Sequence, residues 1–187
     1  MSNFAVLDTE TNWDNQVMSL GVVVAGSEDF RPLESRYYIF DPEYTVGGMF
    51  ASVLYLDGQP SRSCFREVAL AELRDWLHRN AVERLFAYNA RFDFSLLPEL
   101  RDFRWYDIMG LAAYRQFNRT IPPTAECCAS GRLKRGYGVE PTLRRLTGNH
   151  FYFEKHNALC DAEDELAIMR LLGHALSAYE RTAVNRE

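Results

Sequence analysis

Three segments near the N-terminus predict the beginning of a β-sheet. Residues 4–7 form a short, wholly apolar run that leads into carboxylates, which is typical of a buried central strand. Residues 17–25 and 33–40 are rich in valine and aromatic side chains, and both predict strands. The stretch 26–29 between them, Gly-Ser-Glu-Asp, indicates a hairpin connection.

Helical and strand patterns alternate through the rest of the chain. The spacing of Phe65, Ala69, Leu73 and Trp76 places their side chains on one face of a helix. The pattern then predicts a helix over 65–80, a strand over 84–88 and a short helix over 92–100. A brief fifth strand over 105–107 follows, with a helix to about residue 117. The last two predicted elements are a helix over 142–146 and a helix over 158–179.

Two stretches rich in proline and glycine predict irregular structure. Residues 41–63 indicate a long connection with one short helix, and residues 118–141 indicate a loop. The order of the elements predicts an α/β fold, in which helices flank a mixed five-stranded sheet. The length fits a single domain over residues 1–187.

Composition and charge narrow the class of protein only slightly. With 47% hydrophobic and 25% charged residues, the chain can bury a core and keep a polar surface. The net charge of −5 argues against a passive nucleic-acid-binding module, because phosphate groups attract basic surfaces. It does not argue against an enzyme whose acidic site is neutralised by a divalent metal.

Cysteine usage and the absence of apolar runs predict a cytoplasmic protein that makes no contact with a membrane. The four cysteines show neither CxxC pairs nor the spacing of a zinc site, which favours reduced thiols. The first residues carry no signal-peptide pattern. No apolar run approaches the roughly 20 residues that span a bilayer.

The first candidate for chemistry is the pair Asp8 and Glu10, at the end of the first predicted strand. Because strand side chains alternate between faces, these two carboxylates point the same way. Like charges beside an apolar strand raise each other's pKa and are costly to bury, and a divalent cation offsets that cost. Such a pair is also a common start of a solvated loop, so alone it is a weak signal.

The second candidate follows the strand predicted over 84–88. Asp93 lies in the first turn of the next predicted helix, where a carboxylate can also serve the helix dipole alone. Phe92 beside it is suited to stack on a base or ribose, although core packing is the commoner use of phenylalanine.

The third candidate lies at the start of the last predicted helix. Asp161 falls in its first turns and His156 lies just before it. An imidazole changes its protonation near neutral pH, which suits a general base. Ligand sites in open α/β sheets gather at the carboxyl ends of strands, so three polar motifs at the ends of elements favour one common site.

In this order, the three motifs resemble those of the DEDDh 3′→5′ exonucleases, the group that includes the proofreading subunit of bacterial DNA polymerase III, ribonuclease T and oligoribonuclease. The resembling segments are Asp8-Thr9-Glu10-Thr11, Asn89-Ala90-Arg91-Phe92-Asp93 and His156-Asn157-Ala158-Leu159-Cys160-Asp161-Ala162. The likeness spans about residues 4–170 and implies a ribonuclease-H-like sheet.

The resemblance implies hydrolysis of phosphodiester bonds at the 3′ ends of single-stranded DNA or RNA, with release of nucleoside 5′-monophosphates. Asp8, Glu10, Asp93 and Asp161 would hold two divalent metal ions, Mg²⁺ or Mn²⁺. His156 would take the proton from the attacking water.

The resemblance also implies a set of substrate-binding residues. The backbone near Thr9 and Thr11 would approach the terminal 3′-hydroxyl, and Phe92 would pack against the terminal nucleotide. Asn89 belongs to the same set. Departures from the family pattern at Asn12 and other positions leave substrate preference open.

Other features have two interpretations. Trp13 could cover a terminal base or pack in the core. The basic residues Arg132, Lys134 and Arg135, with two arginines downstream, form either a phosphate track or a solvated loop.

Two other functions stay open: a catalytically silent nucleic-acid-binding module of the same fold, and an endonuclease with a ribonuclease-H-like site. Besides a single-stranded 3′ end, a polymerase or a second copy of the chain is an open partner.

Overall fold

A mixed sheet of six strands forms the centre of the fold in the computed structural model, which describes residues 3–185. The strands are β1 (Asn3–Thr11), β2 (Val17–Gly26), β3 (Pro32–Phe40), β4 (Arg62–Cys64), β5 (Val82–Ala87) and β6 (Arg104–Asp107). Their spatial order is β4-β3-β2-β1-β5-β6. The first two and last two residues of the predicted domain lie outside the described part of the chain.

The pairing of the strands decides where the site is built. β1, β2 and β3 pair antiparallel as a meander, which confirms the predicted hairpin at 26–29. β5 pairs parallel with β1 on the other side, and β6 pairs parallel with β5. The carboxyl ends of β1, β5 and β6 therefore meet at one edge of the sheet.

The mixed α/β architecture agrees with the prediction, but the sheet has one strand more than the five predicted. Residues 62–64 of β4 pair parallel with the end of β3. Arg62 and Ser63 are exposed and polar, so this short edge strand carries no apolar pattern. The rest of the connection over 41–61 is irregular apart from two 3₁₀ turns, at Glu43–Val46 and Ala51–Val53.

Helices cover both faces of the sheet. They are α1 (Arg66–Arg79), α2 (Arg91–Leu96), α3 (Met109–Ala112), α4 (Val139–Thr147) and α5 (Ala158–Leu172). α2 is shorter than predicted because it stops before Pro98, whose ring cannot continue a helix, and a 3₁₀ turn follows. α5 stops at Gly173, which adopts a left-handed conformation with φ of 66°.

Two other helix predictions were wrong in length. The helix predicted up to residue 117 is only the single turn of α3. α4 begins within the loop predicted over 118–141, because Pro141 stands in the first turn of the helix. A proline is tolerated there, since the amides of the first turn have no partner within the helix.

Alternation along β1 divides the core into two parts. Phe4 and Val6 pack on the side of the sheet that α5 covers, whereas Ala5 and Leu7 face the side covered by α1. Both faces are apolar, as expected of a central strand. None of the helices in the described part of the chain is long and apolar enough to cross a membrane.

Gly21 of β2 allows α5 to pack unusually close to the sheet. A Cβ atom at this position would lie 2.2 Å from the backbone nitrogen of Leu159 and 2.3 Å from the carbonyl of Ala158. Backbone atoms at the start of a helix cannot move aside as a flexible side chain can. The close position of the first turn of α5 therefore depends on the absence of a side chain at Gly21.

We expect Gly21→Ala to destabilise the protein by about 1–3 kcal/mol or more, since the added methyl group overpacks a rigid contact. Gly26→Ala is the matched control in the same strand, because its Cβ would meet only a side-chain atom of Asp29 at 3.4 Å. Urea unfolding followed by circular dichroism measures both. Equal midpoints for the two variants would contradict the close packing of α5.

Candidate active site

Asp8 and Glu10 continue the series of β1 side chains that face α5. They follow Phe4 and Val6 at intervals of two residues, so they lie on the same side of the sheet. Asp8 stands opposite Gly21 in the register with β2, and Glu10 stands opposite Ser19. As predicted, the two carboxylates therefore point in the same direction, and this direction is toward the first turns of α5.

Asn157 fixes the start of α5. Its side-chain oxygen accepts a hydrogen bond from the backbone nitrogen of Cys160 at 3.3 Å, the usual contact of an N-cap. Its amide nitrogen donates to the carbonyl of Val53 at 2.8 Å and to the hydroxyl of Tyr37 at 3.1 Å. Asn157 thus anchors the helix that carries Asp161.

Glu10, His156 and Asp161 come together at this point. Each offers one side-chain ligand atom, and the three atoms lie within 4.8 Å of one another. His156 adopts a left-handed backbone conformation with φ of 54°, directly before the helix cap. Its ring stacks on Phe50, with ring centres 4.0 Å apart and planes inclined by 16°.

Asp93 approaches the same edge from α2. It lies in the first turn of that helix, as predicted, and is almost fully buried. The hydroxyl of Thr9 donates to its carboxylate at 2.7 Å. Asp8 lies on the same face of β1 as Glu10, and after burial the charges of Glu165, Asp93, Glu10 and Asp161 all raise its pKa.

Burial dominates the electrostatics of the site. It raises the pKa of Glu10 to about 8, with a further contribution from the neighbouring Asp161. It likewise raises the pKa of Asp161 to about 8, and that of Asp93 to about 7 against the lowering effect of the Thr9 hydrogen bond. The pKa of Asp8 rises well above its usual range for the same reason.

These residues fit a divalent cation. The Oδ1 atom of Asp161 is buried and has no hydrogen-bond partner within residues 3–185. Mg²⁺ and Mn²⁺ prefer carboxylate oxygens, and an imidazole nitrogen is compatible with Mn²⁺. A cation here would replace the missing partner and offset the repulsion that raises these pKa values.

The other predicted substrate residues lie around the carboxylates. The Thr9 side chain is occupied by Asp93, and Thr11 ends β1 in a half-buried position. Asn89 has a left-handed φ of 62°, and its backbone nitrogen donates to Asp107 at 2.9 Å. Phe92 exposes about half of its side chain directly beside the buried Asp93.

Trp13 lies outside the core, with 64% of its surface exposed. Its backbone nitrogen donates to the carbonyl of Gly47 at 3.0 Å, and Asn12 donates from its side chain to the carbonyl of Glu43. The core-packing interpretation of Trp13 is therefore wrong, and the covering of a base stays a prediction.

Residues 43–60 form a connection that joins the first and third motifs. It is bonded to the end of β1 through Asn12 and Trp13, and to Asn157 through Val53 and Gln59. Phe50, which covers the ring of His156, belongs to the same segment. The position of the imidazole therefore depends on a region whose sequence carries no regular pattern.

The basic residues divide into two groups. Arg144 pairs with Glu140 at 2.9 Å and donates to a backbone carbonyl, and Arg145 donates to the carbonyl of Gly136 at 2.7 Å. Arg132 lies over the ring of Tyr137. Lys134 and Arg135 are exposed, and they are the part of the predicted phosphate track that is available to a ligand.

Sequence reasoning missed Phe50 and Glu165. Glu165 is a buried carboxylate one helical turn after Asp161. Its spacing of four residues from a predicted ligand, on the apolar face of a helix, is a signal that could have identified it. Phe50 carries no such signal, because its contact with His156 joins positions far apart in an irregular segment.

Comparison with known proteins gives matches to solved structures and none to family models or curated sequences. No protein-family model and no curated protein sequence matches the chain. The nuclease domain of 3′hExo, a DEDDh family member bound to rAMP, is similar with a TM-score of 0.65 and 13% identity. That match covers 100% of this chain and 98% of the domain. The chain has the fold of the 3′-exonucleases.

Two further structures share this exonuclease fold. The 3′-exonuclease that recognises the 3′ end of a histone mRNA stem-loop matches with a TM-score of 0.63 and 13% identity, over 93% of this chain. The zinc-bound E. coli exonuclease I complex with single-stranded DNA matches with a TM-score of 0.61 and 14% identity, over 92%. The chain spans 65% and 40% of those two proteins.

The raised pKa values predict how the stability of the metal-free protein depends on pH. Glu10 and Asp161 bind protons more tightly when folded than when unfolded, where carboxyl groups titrate near pH ~4. Their contribution is therefore fully present below pH ~4 and is lost as the pH rises through about 8. In EDTA, we expect the melting temperature to fall between pH 5 and 8.5.

Manganese should oppose this fall, with its largest stabilising effect at the alkaline end, because it binds the ionised carboxylates. Scanning calorimetry with and without Mn²⁺ measures both effects. Glu10→Gln should reduce the pH dependence, whereas Glu28→Gln, in the exposed hairpin, should leave it unchanged. A melting temperature in EDTA that is constant or rises over this range would contradict the assignment.

Proposed function

We propose that this protein is a metal-dependent 3′→5′ exonuclease of the DEDDh type, which removes nucleoside 5′-monophosphates from the 3′ ends of single-stranded DNA or RNA. The observation that carries the proposal is the meeting of Glu10, His156 and Asp161 at one point, with Asp8 and Asp93 beside them. This arrangement lies in a fold shared with 3′-exonucleases.

Asp8, Glu10 and Asp161 would hold the metal, with Asp93 bound directly or through water. When bound, two Mg²⁺ or Mn²⁺ ions would supply the positive charge that activates water and stabilises the charge developing on the phosphate. The hydrogen bond from Thr9 holds Asp93 in one orientation before any metal enters.

His156 is the proposed general base. Its ring lies within reach of Glu10 and Asp161, so a water held by these carboxylates would be close to the imidazole. Phe50 covers one face of the ring and limits its rotation. The proton of the attacking water would pass to a ring nitrogen as the phosphodiester bond breaks.

Exposed aromatic side chains near the site favour an unpaired strand as substrate. Phe92 directly precedes the buried Asp93, and Trp13 lies three residues beyond Glu10. Stacking of a base on such a ring stabilises binding by about 1–3 kcal/mol and requires a base that is not stacked in a duplex. Thr9 and Thr11 would contact the terminal nucleotide through their backbone, and Asn89 would belong to the same set of substrate-binding residues.

His156→Ala should slow mononucleotide release by about 100-fold or more, the usual effect of losing a general base. His78→Ala is the matched control, because His78 also stacks on a phenylalanine, Phe103, at the opposite end of the sheet. Release of mononucleotides from a 3′-labelled single strand, with Mg²⁺ or Mn²⁺, measures the rates. Asp8→Ala or EDTA should abolish the reaction.

Three outcomes would overturn the proposed function. Activity that survives both EDTA and Asp8→Ala would exclude the metal mechanism. Internal fragments instead of mononucleotides would indicate an endonuclease. Tight binding of single strands without hydrolysis would indicate a binding module, and a panel of DNA and RNA strands of several lengths separates these cases.

Lys134→Glu combined with Arg135→Glu should weaken the binding of a long single strand and flatten its salt dependence. Each lost phosphate contact reduces the slope of log K against log salt by about 0.7. Arg79→Glu, at the end of α1, changes the charge of an exposed arginine elsewhere and is the control. Cleavage of a mononucleotide ester should be unaffected, and unchanged strand binding by the double variant would exclude the track.

A further inference from the structure

Glu165 is a buried carboxylate for which the proposed chemistry has no use. It lies on α5, one turn after Asp161, and only 2% of its surface is exposed. The neighbouring positions on this face of the helix, Ala162 and Leu166, are apolar and belong to the core. A carboxyl group in such a place is costly unless a specific contact compensates it.

The compensating contact is a hydrogen bond to the backbone of another element. The Oε2 atom of Glu165 accepts from the backbone nitrogen of Tyr88 at 3.0 Å. Tyr88 follows β5 directly and precedes Asn89, whose left-handed backbone turns the chain into α2. The bond therefore fixes the point at which β5 ends and the segment that carries Asp93 begins.

The position of Glu165 also brings it against β1. Its charge is the largest influence after burial in raising the pKa of Asp8, and Asp93 acts in turn on Glu165. The helix that carries Glu165 packs against β1, which carries the first motif, and the bond to Tyr88 joins it to the end of β5, where the second motif begins. The Glu165 hydrogen bond directly joins α5, which carries Asp161, to the turn that precedes Asp93.

We propose that Glu165 is a positioning residue, whose hydrogen bond to the Tyr88 amide sets the separation between Asp161 on α5 and Asp93 on α2. In this role it acts through the segments that carry the metal ligands. Groups hydrogen-bonded to metal ligands change metal affinity by about 10–100-fold when they are replaced, and Glu165 acts one step further away, through the Tyr88 backbone. This inference rests on the metal site of the proposed function.

Two substitutions separate the hydrogen bond from the charge. Glu165→Gln removes the charge but keeps an acceptor oxygen at the same reach. Glu165→Asp keeps the charge but is one methylene shorter, so its carboxylate cannot reach the Tyr88 amide without movement of the helix. Glu163→Gln and Glu163→Asp, at an exposed position of the same helix, are the matched controls.

The measurements are Mn²⁺ affinity by calorimetry and hydrogen exchange of the Tyr88 amide by NMR, with circular dichroism to verify folding. We expect Glu165→Asp to weaken Mn²⁺ binding by about 10-fold or more and to speed exchange at Tyr88. Glu165→Gln should stay within about 3-fold of the parent affinity and keep the amide protected. Both Glu163 variants should behave as the parent protein.

Two results would overturn the inference: parent-like Mn²⁺ affinity in Glu165→Asp, or a loss in Glu165→Gln as large as that in Glu165→Asp, which would show that an acceptor oxygen at this position does not hold the site. If Glu165→Asp does not fold, Glu165→Gln still tests the inference. A loss of Mn²⁺ affinity or an unprotected Tyr88 amide in Glu165→Gln would exclude the proposed role of the hydrogen bond. These readouts require no hydrolysis. A protein that binds Mn²⁺ with this pattern and cleaves nothing would refute the proposed function alone.

Discussion

Burial of several carboxyl groups at one edge of the sheet is the physical constraint that shapes the site. Asp8, Glu10, Asp93 and Asp161 lie where burial raises the pKa of each, so each ionised side chain is costly in the metal-free protein. Close packing of α5 against Gly21 keeps Asp161 in this position. A divalent cation would convert the repulsion into binding free energy, which explains why the fold supports so unfavourable an arrangement.

The parts of the site that depend on local sequence could be predicted. Asp8 and Glu10 share a face because strands alternate, and Asp161 falls in the first turn of α5 because Asn157 caps it. Contacts between distant segments carry no such regularity. The stacking of Phe50 on His156 joins positions in two irregular stretches, and no periodic pattern indicates it.

The errors in the predicted fold have a similar cause. β4 is too short and too polar to show alternation, and its existence depends on pairing with β3. The predicted helix over 142–146 missed the first turn of α4, because a proline such as Pro141 usually breaks a helix and is compatible with one only in its first turn. The predicted end of α5 overlooked Gly173, although a glycine after an apolar stripe is a common helix stop.

The connection over residues 43–60 has a consequence for how variants of this protein can differ in length. It is hydrogen-bonded at one side to the end of β1 and at the other to Asn157, and it carries Phe50. An insertion or deletion here would displace the imidazole and the helix cap together. The exposed surface near Lys134 has no hydrogen bond to these carboxylates among the described residues, but the carbonyl of Tyr137 in the same loop accepts one from the hydroxyl of Tyr88. Evolution or protein engineering can therefore change the charges of that surface while the carboxylates stay in place, whereas a change in loop length at Tyr137 would reach the turn before Asp93.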